Sequence, residues 1–593
     1  MRASRLAACA LALLALASTA LQAQRLPLEA EHGLVTSASA LASRVGVDIL
    51  KRGGNAADAA VATGLALAVT YPRAGNIGGG GFALLRLTDG RASAIDFREL
   101  APAGASRDMY LDAAGNVIPG QSTVGHRAAG VPGTVAGLAL LHEKYGSGRL
   151  SWAQLVEPAR LLAARGFTVT PALARDLRAS EDLLGQFPES RRRFLRDGRY
   201  YRAGEAFIQP ELAATLARLQ RQGAREFYTG KTARLISAEM AAHGGLITPA
   251  DLAGYRPIER PVLRGSYRGY EILTMPPPSS GGIALLQMLG MLETRDVASL
   301  GFNSAAKIHL FTEVMRRAFR DRTDFLGDPD FVTVPVAGLL DRAYLAHRMA
   351  DFDAAHATPS EALAAGAPPG TPQGAPAPGP AQGGAHESTE TTHYSVIDSA
   401  GNAVCITYTL NGLWGDGVTV PGAGFLLNNE MDDFGAKNGV RNMYGLQQGE
   451  ANAIAPRKRP LSSMTPTIVL KDGKPYLLTG SPGGPTIITT VLQVVSNVID
   501  FHMSVTQAVD APRFHHQWQP DVISYEPFLT SPDSAALLRA EGHTLESRKL
   551  YPNAPEANAR SWGDAESIMI DPASGLRLGA NDLRSADSAA VGW

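Results

Sequence analysis

Hydrophobic and polar residues alternate with period two from Thr391 to Asp398 and again from Ala403 to Leu410, the pattern of two half-buried strands. Ser399-Ala400-Gly401 between them fits a three-residue hairpin loop, with Asp398 at the first turn position and Gly401 in the left-handed bulge position. That loop pairs Asp398 with Asn402, which sets Thr391 opposite Thr409. Because side chains alternate, Thr407, Thr409 and Asn411 share one face, and Val404, Ile406, Tyr408 and Leu410 fill the other. A second hairpin is predicted from Met464–Leu470 and Tyr476–Thr479 around Asp472-Gly473. Ile487, Ile488, Val491, Leu492, Val495, Val498 and Ile499 then fall at helical spacing, with Pro485 expected at the first helical position. Upstream, residues 24–357 read as alternating helices and strands. Asn55 caps an apolar helix that Tyr71-Pro72 ends, and a rigid loop over Pro276–Gly282 leads into a helix over Ile283–Glu293.

The patterning fails between Ala365 and Ala385, a Pro/Gly/Ala/Gln tract with little apolar surface to offset its ordering entropy. A mobile tail over residues 358–390 is expected. Strand patterning resumes at Thr391. A hydroxyl residue at such a junction suggests a cut that makes Thr391 a new N-terminus, with its own α-amine as base. Two glycine runs invite a phosphate or anion reading. Asn76–Phe82 has no GK[ST] after it and leads into a strand, so tight backbone packing is expected there. Gly480-Ser481-Pro482-Gly483-Gly484 enters a helix, where free N–H groups at a positive helix end suit an oxyanion. A plain strand-to-helix turn would account for it equally well.

Composition narrows the classes. The chain has 593 residues, 45% hydrophobic and 19% charged, with a net charge of −1. Nothing draws it to nucleic acid or an anionic membrane. Arg2 and Arg5, the apolar Leu6–Ala17 and a small-residue site at Ala20 or Ala23 read as a signal peptide over residues 1–23, too short to span a bilayer. The mature protein is then secreted or periplasmic and free of the membrane. Leu6-Ala7-Ala8-Cys9 looks like a lipoprotein box, but almost no apolar segment precedes it. Cys9 would leave with the signal, so Cys405 has no disulfide partner and reads as a small buried residue. His515 and His516 are adjacent, which makes a poor chelate.

Together these segments resemble the gamma-glutamyltransferase (gamma-glutamyl transpeptidase) family of N-terminal-nucleophile hydrolases. The likeness rests on Thr391-Thr392-His393-Tyr394-Ser395-Val396, Thr407–Asn411, Leu427–Phe434, Arg459–Met464 and Gly480–Gly484, with Asp96–Pro102 and the Pro276–Gly282 loop upstream. It implies an α+β fold, a four-layer αββα sandwich built from a large subunit (24–390) and a small one (391–593). On matching positions it implies Thr391 as nucleophile, Thr409 as the hydroxyl bonded to it, and Gly483 and Gly484 as the oxyanion hole. Arg98 would grip a substrate α-carboxylate with Ser462 and Ser463 assisting, while Asn411, Glu430 and Asp433 receive the α-ammonium. Glu390, Thr391 and Thr407 would serve self-cleavage, and Tyr444 would gate a lid loop over residues 438–449.

The implied chemistry is ping-pong acyl transfer. Thr391 cuts the precursor, then takes the γ-glutamyl group of glutathione or a related amide, and passes it to water or to an amino acid or peptide. The two subunits form a heterodimer, and no metal or organic cofactor is expected. Arg98 suits a carboxylate and Asp433 an ammonium, so the pair fits a γ-glutamyl group. A cephalosporin or glutaryl acylase would have no ammonium for Asp433, and a poly-γ-glutamate transpeptidase would need an open groove where a lid is expected. A binding protein that has lost catalysis would have no use for the intact Thr391, Thr409 and Gly483-Gly484 set.

Overall fold

The computed structural model describes residues 25–371, 391–548 and 562–593. The expected signal peptide, Glu390 and most of the Pro/Gly-rich tract lie outside them. Two seven-stranded antiparallel sheets form the centre. The first runs in the order Ala589–Gly592, Leu34–Ser37, Thr392–Ile397, Ala403–Thr409, Gly80–Arg86, Ala92–Asp96, Ile258–Arg260. The second runs Leu28–Ala30, Arg577–Ala580, Ser567–Ile570, Lys474–Thr479, Thr467–Lys471, Tyr270–Thr274, Leu263–Tyr267.

Period-two patterning explains the layering. Val404, Ile406 and Tyr408 of the first sheet pack outward against helices Ala40–Lys51 and Ala56–Thr70. Leu34, Phe82, Leu84, Ile397 and Cys405 face inward and meet Leu273, Ile468, Leu470, Leu478 and Ile568 of the second sheet. On that sheet's far side, Val469 and Leu477 pack against helices Gly281–Leu292, Ala305–Phe325 and Thr486–Ile499. The result is helix, sheet, sheet, helix. The Ala56–Thr70 helix is apolar around its circumference, and all of it is buried. Asn55 caps it: Asn55 Oδ1 accepts from the Asp58 N–H (3.1 Å), and Asp58 Oδ2 accepts from the Asn55 N–H (3.2 Å).

The predicted hairpin register holds, with Thr392 opposite Tyr408 and Ile397 opposite Ala403. Gly401 sits at φ +91°, and its N–H donates to Asp398 O. Cys405 is buried and free. Three expectations need correction. Residues 134–254 do not alternate: they are helical almost throughout, with two strands of two residues each, and their apolar positions pack as a helical cap on the first core. The helix after the glycine turn begins at Thr486, with Pro485 as its N-cap instead of its first residue. The expected mobile tail is packed as far as residue 371. Leu363 joins the second core, the Trp518 indole donates to Ser360 O (2.8 Å), and Arg348 donates to Ala364 O (3.1 Å). A single leucine and a few backbone acceptors suffice to hold a segment whose composition reads as unstructured. Among the described residues, no helix is long and apolar enough to cross a membrane.

The first glycine run does what its sequence context suggests. A Cβ on Gly78 would lie 2.0 Å from Leu426 O, on Gly79 1.9 Å from Thr409 O, and on Gly81 2.4 Å from Thr407 O. These glycines let three backbones meet directly behind the threonine face. Gly79→Ala is expected to destabilise the protein by about 1–3 kcal/mol or more through forced backbone movement. A thermal unfolding midpoint equal to that of the wild type would refute this.

Candidate active site

The Thr391 hydroxyl lies at the start of its strand, 5% exposed, and donates to Thr409 Oγ1 across the hairpin at 3.2 Å. Thr409 Oγ1 also accepts from the Asn411 N–H at 2.8 Å. Asn411 stands at φ +72°, where the strand turns away, and its Nδ2 donates to Asn429 O (3.0 Å). Thr407 lies two residue pairs deeper on the same face, its hydroxyl 2.8 Å from His393 Nδ1. Burial alone holds His393 down at about 3, so the imidazole is neutral.

The strand ending at Thr479 delivers the second glycine turn to the same place. Gly483 (φ +129°) and Gly484 (φ +55°) both need the left-handed region. Neither N–H donates to another described residue. A Cβ on Gly484 would meet the Tyr444 ring at 2.8 Å, so the turn and the Tyr444 segment are fitted to each other. Tyr444 is buried, its hydroxyl 2.7 Å from Asn411 O and 2.6 Å from Asn411 Oδ1. Gln517 donates to Tyr444 O (3.2 Å), and His515 in turn contacts Gln517 and Thr489, while His516 turns to Asp521. The two histidines serve different partners, as adjacent residues on an extended chain should.

Arg98, Glu430, Asp433, Ser462 and Ser463 complete the narrow cleft, which Thr391, Thr409, Asn411, Tyr444 and Gly484 also line. Gly483 stands one residue back in the same turn. Arg98 is 1% exposed and ion-paired with both Glu430 and Asp433. Its remaining donors reach Pro460 O (3.2 Å) and Leu461 O (3.3 Å). The sequence reading assigned the arginine and the two acids to opposite ends of a substrate. In the folded chain they lie against one another as ion pairs. Ser462 and Ser463 lie on the loop after Leu461; Ser462 Oγ accepts from the Met464 N–H and Ser462 O from the Ser280 N–H (2.7 Å).

Two further groups belong to this cluster and were not anticipated. Glu99 is fully buried, 3.8 Å from Arg98, and burial pushes its carboxyl up to about 7 against the pull of Arg98. Burial likewise pushes Glu430 and Asp433 up, with Arg98 opposing. Both Glu99 oxygens and Glu430 Oε2 lack a hydrogen-bond donor among the described residues. Arg322, on the Ala305–Phe325 helix, is held down to about 10 by burial and feels Asp433. Glu99 directly follows Arg98, so the spacing could have flagged it. Arg322 sits in an unremarkable helical stretch, and only packing reveals it.

Nearly the whole chain is similar to known proteins. The family described as Gamma-glutamyltranspeptidase matches residues 42–592. A relative from Escherichia coli (strain K12) named "Glutathione hydrolase proenzyme" is 47% identical over 568 residues, covering 96% of this chain and 93% of its own length. Among solved structures, a cephalosporin acylase from Bacillus halodurans superposes with a TM-score of 0.81 at 28% identity, covering 97% of this chain and 98% of that one. A gamma-glutamyltranspeptidase from Helicobacter pylori superposes with a TM-score of 0.55 at 42% identity, covering 58% of this chain and 96% of that one. The α+β fold is that of the N-terminal-nucleophile hydrolases. With nearly the whole chain matched, the protein belongs to the gamma-glutamyltranspeptidase family.

Proposed function

We propose that this chain is a self-processing γ-glutamyl acyltransferase that hydrolyses glutathione and related γ-glutamyl amides. The observation that carries this reading is the Thr391–Thr409 hydroxyl pair, set in one cleft with a buried arginine and two buried carboxyls. In the precursor, the Thr391 hydroxyl attacks the Glu390 carbonyl. The Glu390–Thr391 amide bond breaks as the ester forms, which frees the Thr391 α-amine, and water then cleaves the ester to give the residue 390 carboxylate and the Thr391 hydroxyl. Residues 24–390 and 391–593 become the two subunits of a secreted or periplasmic heterodimer, with residues 1–23 removed on export. Thr407, fixed by His393, assists this step.

In turnover the new α-amine takes the Thr391 proton as the hydroxyl attacks the γ-carbonyl. Thr409 holds the hydroxyl in line, and the free N–H groups of Gly483 and Gly484 receive the oxyanion. The amine leaves with the proton, and water or an acceptor amine then cleaves the Thr391 ester. Binding is an exchange of partners. The substrate carboxylate takes over Arg98, and the substrate ammonium takes over Asp433, Glu430 and Asn411 Oδ1. A zwitterion satisfies both halves of the broken buried pair. A glutaryl group satisfies only Arg98 and leaves Asp433 unpaired, a penalty of about 3–5 kcal/mol in a buried site. This disfavours the acylase reading despite the shared scaffold. Tyr444, seated on Asn411 and Gly484, closes the cleft over the small substrate, which disfavours a polymer.

Two outcomes test the reading. Wild type should resolve into two bands on a denaturing gel and release anilide from a γ-glutamyl anilide, whereas Thr391→Ala should stay a single chain and be inactive. An unsplit wild type, or a splitting and active variant, refutes the mechanism. Asp433→Asn should lower kcat/KM for γ-glutamyl anilide about 100-fold or more while changing glutaryl anilide turnover far less. Equal losses on both substrates would remove Asp433 from the ammonium site.

A further inference from the structure

Helix Lys231–Ala242 carries Glu239 in its last turn, and His243 follows as its C-cap, so the two side chains share one face at i, i+4 spacing. His126, in the short turn His126–Ala128, reaches the same point from another part of the chain. His126 Nε2 lies 2.8 Å and His243 Nδ1 3.2 Å from the same oxygen, Glu239 Oε1. The two rings stack at 4.6 Å with planes 13° apart. Among the described residues, no arginine or lysine pairs with Glu239. A second carboxylate, Asp416, is fully buried nearby with its Oδ2 unpartnered. Burial, and then the Glu239 charge, push Asp416 well above the usual carboxylate range. This corner therefore gathers two imidazoles and two carboxyls with no fixed cation.

We propose that His126, Glu239 and His243 form a binding site for a divalent transition metal of the zinc class, with water completing the coordination. Ligand atoms at bond lengths of about 2.0–2.1 Å around a tetrahedral ion stand roughly 3.3 Å apart. The observed separations of 2.8 and 3.2 Å need a small outward movement of the imidazoles, and His243 Nδ1 would exchange its 3.1 Å contact with Glu239 O for the ion. His243 is 54% exposed in its side chain, which leaves an entry path, while His126 and Glu239 are mostly covered. The other histidine cluster of the fold does not compare. His309 spends both ring nitrogens on His543 and Asp353 O, and Glu313 is taken by Arg316, Arg317 and the Thr358 N–H.

The site would act on structure, since none of its three residues lines the catalytic cleft. It would clamp the 120–130 segment to the helical cap. That segment supports the acidic loop of the cleft: Asn429 Nδ2 donates to Thr123 O (2.8 Å), Ser122 Oγ to Asp432 Oδ1 (2.6 Å), and the Gly130 N–H to Asn428 Oδ1 (2.9 Å). The Gly125 N–H donates to Asp416 O (2.9 Å).

The test is Zn²⁺ titration of the chelator-treated full-length protein by calorimetry, with bound zinc counted after dialysis. Wild type should bind one Zn²⁺ per chain. His243→Ala, an exposed position that leaves the fold intact, and Glu239→Gln should each weaken binding about tenfold or more, and His309→Ala should not. Zinc should also raise the unfolding temperature of wild type and leave that of His243→Ala unchanged. No zinc bound by wild type, or binding unchanged in both His243→Ala and Glu239→Gln, overturns the proposal. Turnover is not read, so failure here leaves the catalytic reading untouched.

Discussion

The register of one hairpin governs the catalytic half of the structure. The tight turn from Asp398 to Asn402 allows one pairing of its two strands, and that pairing carries the Thr391 hydroxyl to Thr409. A slip of one residue would turn Thr407 and Thr409 outward into the helix layer and Tyr408 inward. Burial on both faces forbids that slip, because Val404, Ile406 and Tyr408 are committed to one core and Cys405 to the other. The glycines from 78 to 81 then let a neighbouring strand press against the backbone of Thr407 and Thr409. The backbone of Thr407 and Thr409 is held by neighbouring main chain, and their hydroxyls are fixed further by His393 and Thr391.

Around this rigid element the cleft is electrostatically loaded. Glu99, Glu430 and Asp433 crowd one guanidinium at Arg98, with Arg322 as a more distant second cation. Removing charges from water is costly, and these groups repay that cost only by pairing. Burial raises the affinities of the three carboxyls for protons, and a single arginine opposes that rise only in part. A ligand that brings one more cation and one more anion can exchange partners with Arg98 and the carboxyls without changing the net charge of the cluster. The same arrangement resists ligands that bring only one of the two.

Legibility in the sequence followed physical range. Contacts set by neighbours in the chain could be read directly: the Asn55 cap, the Gly401 turn, the alternation that hides Cys405, and the helical face from Ile487 to Ile499. Motif-bearing runs supplied Arg98, Glu430, Asp433, Ser462 and the Gly483-Gly484 turn, and all of them come together in the folded chain. Segments with weak local signals were misread. The tail up to residue 371 looked structureless because its anchoring rests on Leu363 and on acceptors that distant Trp518 and Arg348 find. The helical cap over 134–254 looked mixed because its apolar positions serve a neighbouring core and not a sheet of their own.

By itself the sequence determined the catalytic hairpin, its register and the helix after the glycine turn, since these depend on side-chain alternation, turn residues and short spacings. Tertiary structure alone decided that Arg98 is paired with Glu430 and Asp433, that Glu99 and Arg322 belong to the same charge cluster, and that Tyr444 rests on Asn411 and Gly484. It also brought His126 to Glu239 and His243 across more than a hundred residues. Each of these is a contact between remote segments, and its energy comes from burial and pairing that exist only once the layers have closed.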